Sequence, residues 1–212
     1  MVRIVKKPEE RKNEIISAAC QLFLKKGYDN TTMAQVMKTL NIAKGTIYHY
    51  FSSKEDLLEA VVCSIAEDEQ ARLQEAYDSH QGTVLERLHL LVMSSSHPPE
   101  GHEDFLEDLH QTANTGMHIR LLSQILIRQA PLYARLIEEG CDEGIFSTSH
   151  PLECSEFLLS AIHFLTDRGI HPWTEEQLTR RWQAFPDLVT SLVNAPKGTF
   201  DYLQDIFQPT TD

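Results

Sequence analysis

Residues 31–54 read TTMAQVMKTLNIAKGTIYHYFSSK, and two short helices with a tight turn between them follow from that order. Thr32 is a good N-cap, and Gln35, three residues on, completes a capping box. Val36, Met37 and Leu40 give one apolar face over two turns. Asn41 tolerates left-handed backbone, so it ends the first helix and turns the chain, and Ile42 points back into the angle between the helices. Ala43-Lys44-Gly45-Thr46 opens the second helix, on which Ile47 and Phe51 lie four apart on the inward face. Lys44, Thr46, Tyr48, His49 and Tyr50 occupy its other side. Two short helices joined by a few-residue turn, the second presenting polar and aromatic side chains, make a helix-turn-helix layout of the kind that enters a groove.

The stretch resembles the DNA-binding region of TetR-family transcriptional regulators, whose signature has the form KGT-aliphatic-Y-x-Y/H-F-x-x-K-E-x-L. Lys44, Gly45, Thr46, Ile47, Tyr48, His49, Tyr50 and Phe51 match it, followed by Lys54, Glu55 and Leu57, and the detailed similarity runs from about Arg11 to about Leu58. The resemblance implies an all-α fold: an N-terminal three-helix head over residues 1–54, joined by a connecting helix to a larger antiparallel helical body over 55–212. It also implies that Thr32, Lys44, Gly45, Thr46, Tyr48, His49, Tyr50 and Lys54 contact DNA. The residue chemistry agrees. Gly45 lets a duplex approach the backbone, Lys44 and Lys54 attract phosphate, and Thr46 stands where a recognition helix reaches base edges. The three aromatics can stack on sugars or bond to phosphates, and Thr32 can offer its backbone N–H to one. Two departures stand out. Ala43 falls where relatives carry Ser or Thr, a cap worth about 1 kcal/mol. Asn41, Met37 and Leu40 fall where they carry Gly and small residues.

Working outward, the net charge of −12 looks wrong for a DNA-binding chain until it is divided. Residues 1–54 hold ten Lys/Arg against four Asp/Glu, whereas residues 55–212 hold nine against twenty-seven. A basic head supplies phosphate attraction and an acidic body repels the duplex, which orients the molecule head-first. No apolar run reaches the ~20 residues of a membrane helix, and the first residues lack the apolar stretch of a signal peptide. A cytoplasmic protein is expected. Cys20, Cys63, Cys141 and Cys154 form no C-x-x-C pair and read as buried thiols.

Before the motif, residues 1–8 make a basic arm, and a helix from Glu9 to about Lys26 carries Ile15, Ile16, Ala19, Leu22 and Phe23 as its stripe. Gly27 stops it. After the motif a helix runs from about Ser52 to Ser79 and connects head to body. Further helices follow: Thr83 to Ser96, Glu103 to Ala113, Met117 to Glu143 with Pro131 expected to kink or split it, Leu152 to Thr166, Thr174 to Asn194, and a short last one around Tyr202. No strand-like alternation occurs.

For the body, the resemblance implies a small-molecule pocket among the middle helices and a dimer built from the last two long ones. Met93, His97, Phe105, His110, Met117, His118, Leu121, Leu122 and Ile125 are the candidate pocket residues. Phe157, Ile162, Phe164, Leu165, Leu178, Trp182, Phe185 and Leu188 are the candidate dimer residues, because they supply more apolar surface than a monomer's core needs. The histidines at 97, 102, 110 and 118 fall across a Pro-rich loop and separate helices without a tight His-x-x-His pair, so no metal and no cofactor are expected. Neither a Gly-x-Ser-x-Gly nor a phosphate-cradling glycine loop is present, and the acidic pairs at 138–139 and 142–143 read as a solvated face, so no enzymatic activity is expected. The resulting expectation is a transcriptional regulator, a repressor released by an unidentified small-molecule effector, which binds palindromic operator duplex DNA as a homodimer. The alternative is a ligand-independent architectural or replication-linked DNA-binding protein.

Overall fold

The computed structural model describes residues 7–96 and 107–207. Along them run nine α-helices: α1 Pro8–Lys26, α2 Met33–Leu40, α3 Lys44–Tyr50, α4 Lys54–Ser79, α5 Val84–Ser96, α6 Thr115–Asp142, α7 Pro151–Leu165, α8 Glu175–Leu192 and α9 Leu203–Phe207, with a 3-10 turn over Thr112–Asn114 ahead of α6. No strand occurs among the described residues. None of their helices is long and apolar enough to cross a membrane. The arm residues 1–6, the Pro-rich loop and the first four residues of the short helix expected after it lie outside them; residues 107–109 are helical.

The chain divides into two compact units, one of Met1–Glu67 with Glu103–Gln124, the other of Asp68–His102 with Ile125–Asp212. We call them head and body. The head takes in more than the motif suggests: the first half of α4 and the start of α6 belong to it. Chain therefore passes from one unit to the other inside α4 and again inside α6.

In the head, Ile15, Ala19 and Phe23 recur at i, i+4 and i+8 on α1 and are fully buried with Val36, Ile47, Leu57 and Val61. Each large apolar side chain so placed contributes roughly 1.5–3 kcal/mol. Phe23 meets the ring of Tyr28 edge-on at 5.2 Å, and the buried Thr31 hydroxyl donates to the carbonyls of Gly27 and Leu22. The long-range tie is Asn114. Its Oδ1 accepts from the Tyr28 N–H at 2.8 Å, and its Nδ2 donates to the carbonyls of Leu24 at 3.3 Å and Asp108 at 2.8 Å. This side chain therefore satisfies one of the carbonyls that the end of α1 leaves open. Gly27, at φ +84, makes the turn possible, and a Cβ there would run into the Cβ of Ala113.

In the body, Leu73, Leu91, Leu136, Phe146, Phe185 and Phe200 are central to one continuous core. Glu139, expected on a solvated face, is instead part of a network: it pairs with Arg87 and accepts from the Tyr77 hydroxyl at 3.0 Å. Those bonds, Arg87 first, hold its carboxyl below the usual range. Pro131 neither splits nor ends α6. It removes the N–H that would bond to Ile127, a residue 63% exposed, where water can serve that carbonyl. The four cysteines are free thiols. Only Cys154 is buried outright, although desolvation still lifts the Cys20 thiol to about 11, well away from thiolate chemistry.

Replacing Asn114 with Ala would strand the buried Leu24 carbonyl and the Tyr28 N–H together. We expect a loss of about 1–3 kcal/mol, read as a lower urea midpoint with unchanged slope. An unchanged midpoint would refute the role given to this side chain.

Candidate nucleic-acid interface and interior cavity

The motif folds as its local chemistry dictates. Thr32 caps α2: the Gln35 N–H donates to its Oγ1 at 3.3 Å, and its own N–H donates to Gln35 Oε1 at 2.7 Å. That N–H is thus engaged within the protein rather than open to a phosphate. Asn41 adopts φ 50, ψ 47, and the Ile42 N–H reaches back to the Met37 carbonyl at 3.0 Å, closing the helix in a left-handed cap. Ala43 starts α3 with no side-chain cap. Seven residues without a cap do not hold a helix in water. Ile47 and Phe51 hold it from the inside, with Ile47 fully buried.

The opposite face of α3 is open. Lys44, Gly45, Tyr48 and His49 are exposed, and Thr46 and Tyr50 are half-buried. Tyr48 is 42% exposed, with the Lys44 ammonium 5.6 Å from its ring centroid; His49 meets the Tyr50 ring edge-on at 5.0 Å. Gly45 is informative by contrast with Gly27. Its φ is ordinary and a Cβ built on it would meet nothing within 4 Å. Folding does not require glycine there; a partner pressing on that spot would.

Lys54 is placed differently from the rest. Its ammonium donates to the Tyr28 carbonyl at 2.9 Å and stands 4.1 Å from the centre of the Tyr28 ring. The lysine thereby ties the start of α4 to the turn after α1. The other seven candidate DNA residues lie on α3 or at the cap of α2.

The residues expected to line a pocket do not gather. Met117, His118 and Leu121 are buried in the head, His110 is exposed, Leu122 is half-buried there, and His97 and Phe105 fall outside the described residues. Ile125 is half-buried in the body and Met93 is 37% exposed. A partly open cavity of about 150 Å³ lies instead within the body, between α5, α6, α7, α8 and the turn into α9. Leu88, Val92, Ile137, Leu158 and Val189 make much of its apolar wall, and Ile162 and Phe185, expected at a dimer interface, belong to it too. His163 and Tyr202 also belong to its lining, and His163 Nε2 and the Tyr202 hydroxyl oxygen are buried without a hydrogen-bond partner among the described residues. Burial pushes the His163 imidazole down to about 4, Asp167 opposing weakly. A lone histidine in the apolar run FLLSAIHFL was the one signal the sequence carried for this site. The remaining dimer candidates divide: Leu178 is buried, Trp182 half-buried, and Phe157, Phe164, Leu165 and Leu188 are exposed, with Phe157 at 72% and Leu188 at 62%.

A helix-turn-helix head with an open, polar and aromatic recognition face, continued by an all-helical body, defines a DNA-binding regulator. The comparisons with known proteins agree. The family described as "Bacterial regulatory proteins, tetR family" matches residues 15–61, and "Tetracyclin repressor-like, C-terminal domain" matches residues 101–188. The HTH-type transcriptional regulator YhgD of Bacillus subtilis is 26% identical over 73% of this chain and 81% of its own. The HTH-type transcriptional repressor KstR2 of Mycobacterium tuberculosis is 25% identical over 69% and 74%. In fold, the chain is similar to a TetR-family regulatory protein from Rhodococcus RHA1, with a TM-score of 0.57 at 18% identity over 89% of this chain and 99% of that one. The chain belongs to the TetR family and is a DNA-binding transcriptional regulator.

Two outcomes follow from these placements. Gly45→Ala should leave the fold as stable as before or up to about 1 kcal/mol more so, while weakening duplex binding about tenfold, or roughly 1.4 kcal/mol; melting and fluorescence anisotropy on one preparation separate the two. For His163, the folded state binds fewer protons than the unfolded chain between pH 6.5 and about 4, so its contribution is complete above pH 6.5 and is lost as pH falls. Wild type should lose about 2–3 kcal/mol more than His163→Leu between pH 7 and 4.5. Parallel urea-midpoint curves for the two proteins would contradict this.

Proposed function

We propose that the protein acts in the cytoplasm as a homodimeric repressor that grips a palindromic operator with two copies of α3 and lets go when a small molecule occupies the body cavity. The observation that carries this reading is the outward row on α3, Lys44, Gly45, Thr46, Tyr48 and His49, on a helix whose buried residue, Ile47, lies on its other side. Lys44 supplies phosphate attraction, Gly45 the close approach, Thr46 a base-edge contact, and Tyr48, His49 and Tyr50 stacking and phosphate bonds. Thr32 acts by capping α2. Lys54 contributes by holding the turn at 28–29, and so the position of the head's first helix, rather than as a free phosphate ligand.

Dimerisation is supported by exposed apolar side chains on the two last long helices. Phe157 and Phe164 on α7, with Ala184, Leu188 and Leu192 at i, i+4 and i+8 on α8, are open to solvent, an arrangement suited to packing against a second copy. One head reads only a half-site, so a two-fold pair also matches a palindrome. Regulation follows from the connectivity: α4 and α6 each run from the body into the head, so a shift of either on ligand binding changes how the heads present α3. The relatives are transcriptional regulators, one of them a repressor, which favours this reading over an architectural role.

The test is a gel-shift titration with duplex DNA from upstream of the protein's own gene, beside sedimentation of the free protein. Wild type should bind as a dimer. Thr46→Ala should narrow the gap between this duplex and a scrambled one, and Leu188→Glu should sediment as a monomer with at least about tenfold weaker binding. Dimeric Leu188→Glu with full affinity would remove α8 from the interface. No binding by wild type at low salt would overturn the operator assignment.

A further inference from the structure

The body cavity carries a chemical signature of its own guest. Its wall contains no Lys, Arg, Asp or Glu among the described residues, although the body as a whole is strongly acidic. No side chain of fixed charge stands there to neutralise a carboxylate, a phosphate or an ammonium group, and burying such a charge unpaired is prohibitive. The hydroxyls on the wall are mostly committed already. Tyr133 donates to Ser95 Oγ at 3.1 Å, Ser96 donates to the Val92 carbonyl at 2.6 Å, and Ser155 donates to the Pro151 carbonyl at 3.0 Å. Two polar atoms are left over, His163 Nε2 and the Tyr202 hydroxyl. They come from different elements, α7 and the turn ahead of α9. The Tyr202 ring is stacked against His89 at 4.3 Å, which restrains the ring.

Resting on the ligand-responsive reading above, we infer that this cavity binds a neutral, largely apolar organic molecule of about one aromatic ring bearing a hydroxyl group, anchored by His163 Nε2 and the Tyr202 hydroxyl. The size follows from the volume: a cavity of about 150 Å³ takes a benzene-sized guest. The hydroxyl follows from the anchors. A neutral imidazole nitrogen donates or accepts according to tautomer, and a phenol hydroxyl does both. A hydroxyl on the guest also does both and so satisfies either arrangement, whereas a bare ketone or ether could only accept. An apolar guest without such a group would fill the volume and leave both atoms unpaired.

The experiment is calorimetric titration of the full chain at pH 7 with three probes of similar size: phenol, toluene and benzoate. Phenol should bind saturably and about tenfold more tightly than toluene, from a hydrogen bond made to an otherwise unpaired buried atom, and benzoate should not bind. Tyr202→Phe and His163→Leu should each shrink the preference of phenol over toluene while keeping toluene binding, which also shows that the cavity is intact. Equal binding of phenol and toluene by wild type would remove the anchors. Binding of benzoate at the same site would overturn the neutral class, and if benzoate also lowered operator affinity the ligand-responsive reading would survive. Should none of the probes bind while the chain still shifts its operator, the proposed guest falls and DNA binding stands.

Discussion

Everything in the head depends on a short helix held from one side only. At seven residues and without a capping side chain, α3 lacks the length to be stable in water. Burial of Ile47, together with Phe51 just past its end, keeps it helical. The same constraint frees the other face. A helix that needs only one row of apolar side chains can give the remaining positions to chemistry, and here these are Lys44, Thr46, Tyr48 and His49 with a glycine between them. The Asn41 cap in left-handed geometry fixes the angle at which that face is offered, so a residue that departs from the family's usual glycine still closes α2.

The support for α3 is in turn held by polar side chains acting over long sequence distances. Lys54 binds the turn at Tyr28, and Asn114 binds both that turn and the Leu24 carbonyl near the end of α1. Both act on the same few backbone atoms. An ammonium that serves as a clamp is less available as a phosphate ligand, because satisfying a phosphate would mean giving up a carbonyl and an aromatic face together. Asn114 also places the segment leading into α6 against α1. The head is therefore not autonomous in sequence: it borrows a piece of chain from beyond residue 100.

These placements explain what could be read from the amino-acid order. The capping box at Thr32, the left-handed Asn41, the inward Ile47 and the basic character of residues 1–54 are local patterns, and local patterns survive folding. The seven-residue recognition helix and nearly every body helix were legible for the same reason. Asn114, the Arg87–Glu139–Tyr77 network and the cavity are not local. Each joins residues fifty or more positions apart, and no periodicity announces such a meeting. The pocket candidates show the cost. Met117, His118 and Leu121 have the right character and helical spacing, but they belong to the head, whereas His163 stands on a helix whose apolar sequence looked like dimer surface. A helix whose sequence is apolar on most sides gives no hint of which side faces a void.

The cavity completes the electrostatic logic of the chain. The body, with nineteen acidic and eight basic residues in 68–102 and 125–212, carries negative charge that favours approach of DNA to the head. Its interior is neutral where a guest would sit, even at His163, whose proton burial removes. Each unpaired buried polar atom costs the protein about 1–3 kcal/mol. A guest that satisfied both would bind the conformation containing the cavity more tightly by a comparable amount, within the usual range of allosteric coupling of about 1–3 kcal/mol. That coupling shifts an operator affinity by tens-fold only if the DNA-bound arrangement of α4 and α6 closes or distorts the cavity, since a ligand with equal affinity for both states shifts nothing. On the proposed reading the two stranded atoms have a use that stability alone does not give them: they would make the free energy of filling the cavity large enough to compete with a grip on DNA.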